Sequence, residues 1–193
     1  MNIDEVLHNF VDCFNNSPQS LGELKYTSTK LSGDKLALPL KGELLYFYEH
    51  LEMIDNPAFG GDLFLELISG QNLVKALSGW RWIGQNNNID PNWSENYIIF
   101  ANRNDDVIFC DIADGNSQVY GSVQKKNIKL ADSLKDFLSV FHDLVKIEEI
   151  DFQCETTDDD FNYKLDYLER IERKSEEHLS DEYSKNMFHF FFG

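Results

Sequence analysis

Tyr97-Ile98-Ile99-Phe100-Ala101, Val107-Ile108-Phe109-Cys110-Asp111-Ile112 and Gln118-Val119-Tyr120-Gly121-Ser122-Val123 follow one another with only short polar connections between them. Each run has the length of a strand and is rich in β-branched and aromatic side chains, which fit a pleated, half-buried surface. The connections, Arg103-Asn104-Asp105-Asp106 and Ala113-Asp114-Gly115-Asn116, are made of turn formers. Loops this short join antiparallel neighbours, because a parallel pair needs a long crossover. The stretch predicts a β-meander.

Helical patterns flank it. Ser133, with Asp136 three residues on, opens a helix whose stripe is Leu134, Phe137, Leu138, Phe141, Leu144 and Val145. At the other end Ile3, Val6, Leu7, Phe10, Val11 and Phe14 trace one face of a helix, with Asn2 to cap it and Glu5 to reach back. Asn15 to Lys35, with Gly22 and Gly33, reads as a long connection holding a short strand near Tyr26. Pro39 is placed as the first residue of a second helix ending near Met53. Asn56-Pro57 and Gly60-Gly61 then break the chain before a buried strand over Leu63 to Ile68, and a brief helix follows through Leu73, Val74 and Leu77. The expected fold class is α+β: a central, mainly antiparallel sheet packed in two layers against helices over residues 1–150.

Residues 151–193 form an acidic helical C-terminal extension. Between Glu148 and Glu182, 14 acidic residues stand against Lys164, Arg170, Arg173 and Lys174, which leaves −10 of the chain's −17 in that span. Phe161, Leu165, Leu168 and Ile171 trace one helical stripe; Tyr183, Met187, Phe190 and Phe191 trace another. The terminal Met187-Phe188-His189-Phe190-Phe191-Phe192 run must be covered, by its own domain or by a partner, since exposed it invites aggregation.

A formal charge of −17 repels nucleic-acid phosphates and anionic membrane surfaces and suits a basic protein partner. Fifteen phenylalanines, eight tyrosines and three tryptophans supply a core without disulfides. Cys13, Cys110 and Cys154 are too widely spaced for a C-x-x-C site, and the acidic Met1-Asn2-Ile3-Asp4-Glu5 start lacks the features of a signal peptide. A cytoplasmic protein is expected.

From Leu38 to Val145 the order of landmarks resembles the SUKH superfamily, the Smi/Knr-like proteins. Leu38-Pro39 precedes Tyr46-Phe47-Tyr48, and Gly60-Gly61-Asp62-Leu63 stands where the family has a glycine-led strand. Trp93 precedes the first meander strand, Phe109-Cys110-Asp111 and Gln118-Val119-Tyr120 follow, and Ser133-Leu134-Lys135-Asp136-Phe137-Leu138 matches the closing Ser-aromatic helix. Leu134 departs from the family's aromatic, Gly115 sits in a longer insertion, and the acidic tail has no counterpart. The resemblance implies an α+β fold without catalysis, used by bacterial immunity proteins to neutralise toxin domains, often nucleases, and elsewhere to regulate cell-wall synthesis.

Residue chemistry adds no enzyme to this picture. His8, His50, His142, His178 and His189 form no H-E-x-x-H or other metal spacing, and no P-loop, dinucleotide fingerprint or G-x-S-x-G elbow occurs. No cofactor or metal is expected. Asp158-Asp159-Asp160 lacks the glycine and alternating ligands of an EF-hand and is read as an acidic cap on the following helix. The candidate partner surface combines carboxylates that steer a basic toxin domain, Asp62, Asp105, Asp106, Asp111 and Asp114, with Trp80, Trp82 and Trp93 as anchors. At i, i+2 in an extended segment, Trp80 and Trp82 would share a face. The competing reading is a structural or regulatory adaptor whose C-terminal helices enter a partner or a second copy of the chain.

Overall fold

Asn2 starts the first helix as its sequence requires: its Oδ1 accepts from Glu5 N at 2.9 Å and Glu5 Oε2 accepts from Asn2 N at 3.0 Å. The computed structural model describes residues 1–31, Leu36 and residues 38–193. Helix α1, Ile3–Asn16, buries Val6, Leu7, Phe10, Val11 and Phe14. Strand β1 is Leu21–Tyr26. The end of the expected long connection, with Gly33 and Lys35, lies outside the described residues.

Helix α2 is Gly42–His50, later and shorter than the expected Pro39 to Met53. Its start is set from outside: Glu43 N donates to Gly115 O at 3.0 Å and Leu44 N to Ser117 Oγ at 3.1 Å, so the meander loop satisfies the helix's first amides. It ends because His50 leads straight into strand β2, Leu51–Phe59, paired antiparallel with β1. Asn56-Pro57, expected to break the chain, instead lies within β2. Asp55 and Asn56 take positive φ, the pairing steps from Glu23↔Ile54 to Leu21↔Ala58, and the turn formers bulge the strand without ending it.

Strand β3, Leu65–Leu67, is the centre of the expected Leu63 to Ile68 run. A 3₁₀ turn at Gly70–Asn72 leads into the brief helix α3, Leu73–Ala76. A small hairpin follows, β4 Trp82–Ile83 with β5 Asn88–Ile89, where the sequence suggested a polar loop. The meander is β6 Tyr97–Arg103, β7 Asp106–Asp111, β8 Gln118–Val123 and a fourth strand, β9 Lys126–Ala131, that the sequence had not suggested. Helix α4, Leu134–Lys146, is capped by Ser133 Oγ accepting from Asp136 N at 3.0 Å, and a wide turn at Ile147–Asp151 continues it. The tail forms α5, Leu165–His178, and α6, Asp181–Phe192.

One antiparallel sheet of seven strands runs β1-β2-β3-β6-β7-β8-β9, so the fold is α+β as expected. Its helical face packs by aromatic contacts: Phe10 and Phe59 at 5.1 Å, Phe59 and Phe141 at 5.2 Å, and Phe100 and Phe137 at 6.0 Å between ring centroids. The opposite face is also covered, beyond the two layers expected. Leu73 and Leu77 are fully buried there, and Trp93 lies 4.9 Å from Phe109 on β7.

The terminal aromatic run is covered by its own chain: Met187, Phe190 and Phe191 are buried, and Phe191 lies 5.9 Å from Phe141. Gly121 makes room for it, since a Cβ there would stand 2.5 Å from the Phe190 ring. The stripe read for α5 is displaced. Tyr167, Ile171 and Ser175 are its buried positions, while Leu165 is exposed and Phe161 lies outside the helix.

Candidate functional site

The carboxylates expected to form one patch divide between the two ends of the meander. Asp106 and Asp111 open and close β7, and a strand of that length separates them by about 17 Å. Asp105 lies in the β6–β7 turn, next to Asp106. Asp111 and Asp114 lie at the opposite end and shape the β7–β8 connection: Asp111 Oδ1 accepts from Ala113 N at 2.9 Å, and Asp114 accepts from Asn116 N at 2.9 Å and Gln118 Nε2 at 3.1 Å. Asp62 accepts from the Thr156 hydroxyl and from Tyr163 OH at 3.3 Å, so it serves the tail and not a free surface.

The tryptophans are also partly committed. Trp93 is a core residue, 7% exposed, with Nε1 donating to Tyr97 O at 3.2 Å, and is corrected from anchor to packing element. Trp80 packs on it at 5.3 Å and stays half-buried, with Lys125 6.0 Å from its ring. Trp82 lies under the Arg81 guanidinium at 5.6 Å. The amides of Trp80, Arg81 and Trp82 all turn toward Leu77 O, so the segment is not extended and the i, i+2 argument for a shared face does not apply. What remains open beside Asp111 is half-buried Tyr97, its cross-strand partner, with Tyr120 packed near it, while half-buried Trp80 lies by Lys125 of the β8–β9 turn.

Phe161 was missed as a surface feature. Asp158-Asp159-Asp160 does not cap α5, whose N-cap is Lys164. It builds a tight turn between the bridged residues Thr157 and Tyr163. Asp158 N donates to Asn162 O at 2.8 Å, Asp158 Oδ1 accepts from Asp160 N at 2.9 Å and Asn162 N at 3.0 Å, and Phe161 N donates to Asp158 O at 3.0 Å. This network holds Phe161 at φ 62, a conformation unfavourable for an aromatic residue, and leaves it 88% exposed directly after Asp158-Asp159-Asp160. The sequence signal was present as a run of turn formers, but the phenylalanine fitted a helical spacing.

Chain similarity assigns no function to either surface. Compared with family models, curated proteins and solved structures, the chain matches none.

Two titratable clusters remain. Asp143 bridges α4 to the end of α5: His142 Nδ1 lies 2.8 Å from its Oδ1 and His178 Nε2 2.9 Å from its Oδ2, beside a cavity of about 380 Å³ lined also by Asn9, Lys135 and Ser139. Burial works against ionisation, but the bonds from His178 and His142 hold the carboxyl below its ordinary value. Both oxygens are thus occupied by imidazoles, and among the described residues Ser139 bonds to neither ring, so no nucleophile is engaged.

The second cluster joins tail to core. Glu148, 3% exposed, accepts from Asp62 N at 3.0 Å, Leu63 N at 3.1 Å and Tyr167 OH at 3.4 Å. Burial pushes it up to about 7, against the backbone bonds that favour its charge and with help from the Asp62 carboxylate. Nearby, Arg103 donates to Phe191 O and, at 3.4 Å, to Phe190 O, closing the C-terminal end of α6. Among the described residues no group of three or more His, Cys, Asp or Glu is placed to hold a metal, and no helix is long and apolar enough to cross a membrane.

Proposed function

We propose that this chain is a non-enzymatic binding module of the cytoplasm that neutralises a basic protein, a toxin domain of the kind held by SUKH immunity proteins. The observation that carries the reading is the Asp158–Asn162 turn, in which a hydrogen-bond network holds one exposed aromatic residue at positive φ directly after three aspartates. Such a ring is pre-organised to enter an apolar pocket, and the adjacent aspartates suit a pocket rimmed by lysine or arginine. The resemblance of Leu38 to Val145 to SUKH proteins supports the same class of partner. The adaptor reading has less support, because Met187, Phe190 and Phe191 are already buried in their own core.

The test is recovery of partners from source-cell lysate at low and high salt, with mass-spectrometric identification, by the wild type and by Phe161→Ala. The side chain makes few contacts, so Phe161→Ala should leave Tm unchanged. It should lower affinity for a recovered basic partner by at least about 30-fold, the loss typical of an interface hot spot. Equal recovery by both proteins, or a neutral partner held through high salt, would overturn the reading.

A further inference from the structure

Lysine and arginine are scarce in this chain, 17 against 34 acidic residues, yet four of them line one groove. It has a volume of about 420 Å³ and runs between α4, the wide turn after it, and α5. Lys146 stands at the end of α4, and Arg170, Arg173 and Lys174 fall at i, i+3 and i+4 on one face of α5. Between Glu148 and Glu182, where 14 acidic residues stand, the chain has four basic ones, and three of those are here. Glu169, Glu172 and Glu176 are exposed and lie outside the groove, so α5 turns its cations inward and these glutamates away. Packing does not demand that order, because the buried positions of α5 are Tyr167, Ile171 and Ser175.

Three carboxylates share the lining, and each is engaged. Both oxygens of Asp143 meet imidazole nitrogens, Asp151 is paired with Arg170, and Glu177 lies 2.5 Å from Lys174. Lys146 and Arg173 are exposed and form no ion pair among the described residues. Pairs as open to solvent as Arg170–Asp151 and Lys174–Glu177 hold weakly and can be exchanged for a stronger anion. A carboxylate ligand would gain nothing over Asp151 and Glu177. A phosphate group carries more charge and three acceptor oxygens, and it suits the planar fork of an arginine. Cations supplied by two helices, whose axes pack about 8–10 Å apart, address an anion with more than one such group. Exposed Ile150 adds an apolar lip. The formal charge of −17 opposes such a ligand little, since exposed charges farther than about 8 Å are largely screened at physiological salt.

We propose that the groove between α4 and α5 binds a small molecule bearing a diphosphate, held by Lys146, Arg170, Arg173 and Lys174. Its volume is that of a small-molecule site. None of its lining residues belongs to the Asp158–Asn162 turn, so the site does not depend on the partner proposed for Phe161.

The experiment is isothermal titration calorimetry of the full chain with pyrophosphate, ADP and citrate in metal-free buffer at about 0.15 M salt. Pyrophosphate should saturate one site with a dissociation constant of about 1 mM or tighter. Citrate, an anion of similar charge without phosphate, should bind at least about tenfold more weakly. ADP binding more tightly than pyrophosphate would support a nucleotide that rests its nucleoside on Ile150, and ADP binding more weakly would support a free polyphosphate. Arg173→Glu and Lys146→Glu should each weaken binding at least about tenfold, the loss of one charge-assisted hydrogen bond. Lys126→Glu, the same charge change on β9, should leave it unchanged. All three positions are exposed, and an unchanged Tm would show that the variants fold. No saturable binding of pyrophosphate, citrate bound as tightly, or a loss in Lys126→Glu equal to that in Arg173→Glu would each overturn the proposal.

Discussion

Replacing Glu148 with alanine is expected to lower stability by about 3–9 kcal/mol, because three buried donors lose their acceptor together and each costs roughly 1–3 kcal/mol when left unmade. They are Asp62 N, Leu63 N and Tyr167 OH, which belong to the turn before β3 and to helix α5. The side chain ties the tail to the sheet from the end of α4. Gly61 is required beside it, since at φ 73 a Cβ would stand 1.9 Å from Glu148 Oε1. Against a typical total of about 5–15 kcal/mol the loss is a large fraction, read directly as a fall in the urea midpoint.

The same residue sets a pH dependence whose sign follows from its shift. Glu148 is carried from 4.5 to about 7, so its protonated form is the one the fold prefers. Its stabilisation is complete below 4.5 and is lost as pH rises through 7, by roughly 3 kcal/mol. Glu148→Gln removes the titration but presents an amide donor to one of the backbone amides. It should therefore be less stable than wild type at pH 5 by about 1–3 kcal/mol, with the gap closing by pH 8. Urea midpoints at the two pH values check this; a gap that widens with pH would show that Glu148 is ionised in the fold without cost.

The meander was legible because its strands carry β-formers and two of its turns carry Asn, Asp or Gly. Strand β9 was not. Its hairpin turns at Gln124 and Lys125, with φ of 50 and 64, so a sharp turn is made by residues that do not advertise one. Asn56-Pro57 erred in the other direction, advertising a stop where pairing with β1 carries the strand past a bulge. The start of α2 depends on Gly115, far along the chain, and no local pattern contains that contact. At the candidate surface, composition established that carboxylates and tryptophans were plentiful but not that Asp106 and Asp111 cap opposite ends of one strand, or that Trp93 fills the core. Phe161 was assigned to α5 by spacing alone; the true stripe includes Ser175, whose hydroxyl is satisfied by Ile171 O at 2.9 Å and so is buried without looking apolar.

Deletion of residues 151–193 should unfold the remainder, although the compositional change after Ile150 looks like a domain boundary. Tyr167, Ile171, Met187, Phe190 and Phe191 are all buried against the rest of the core. At about 1.5–3 kcal/mol for each large apolar side chain withdrawn from water, their loss sums to roughly 8–15 kcal/mol, comparable with the whole stability of a domain. Polar losses add to it: Glu148 loses Tyr167, Asp62 loses Thr156 and Tyr163, and Arg103 loses the carbonyls of Phe190 and Phe191. The space beside Gly121 that receives Phe190 would be left empty, and Phe141 would lose its contact with Phe191. Residues 1–150 alone should show no cooperative melting transition and should bind a hydrophobic dye, whereas a sharp transition near the full-length Tm would mean that the acidic tail rests on a core already complete without it.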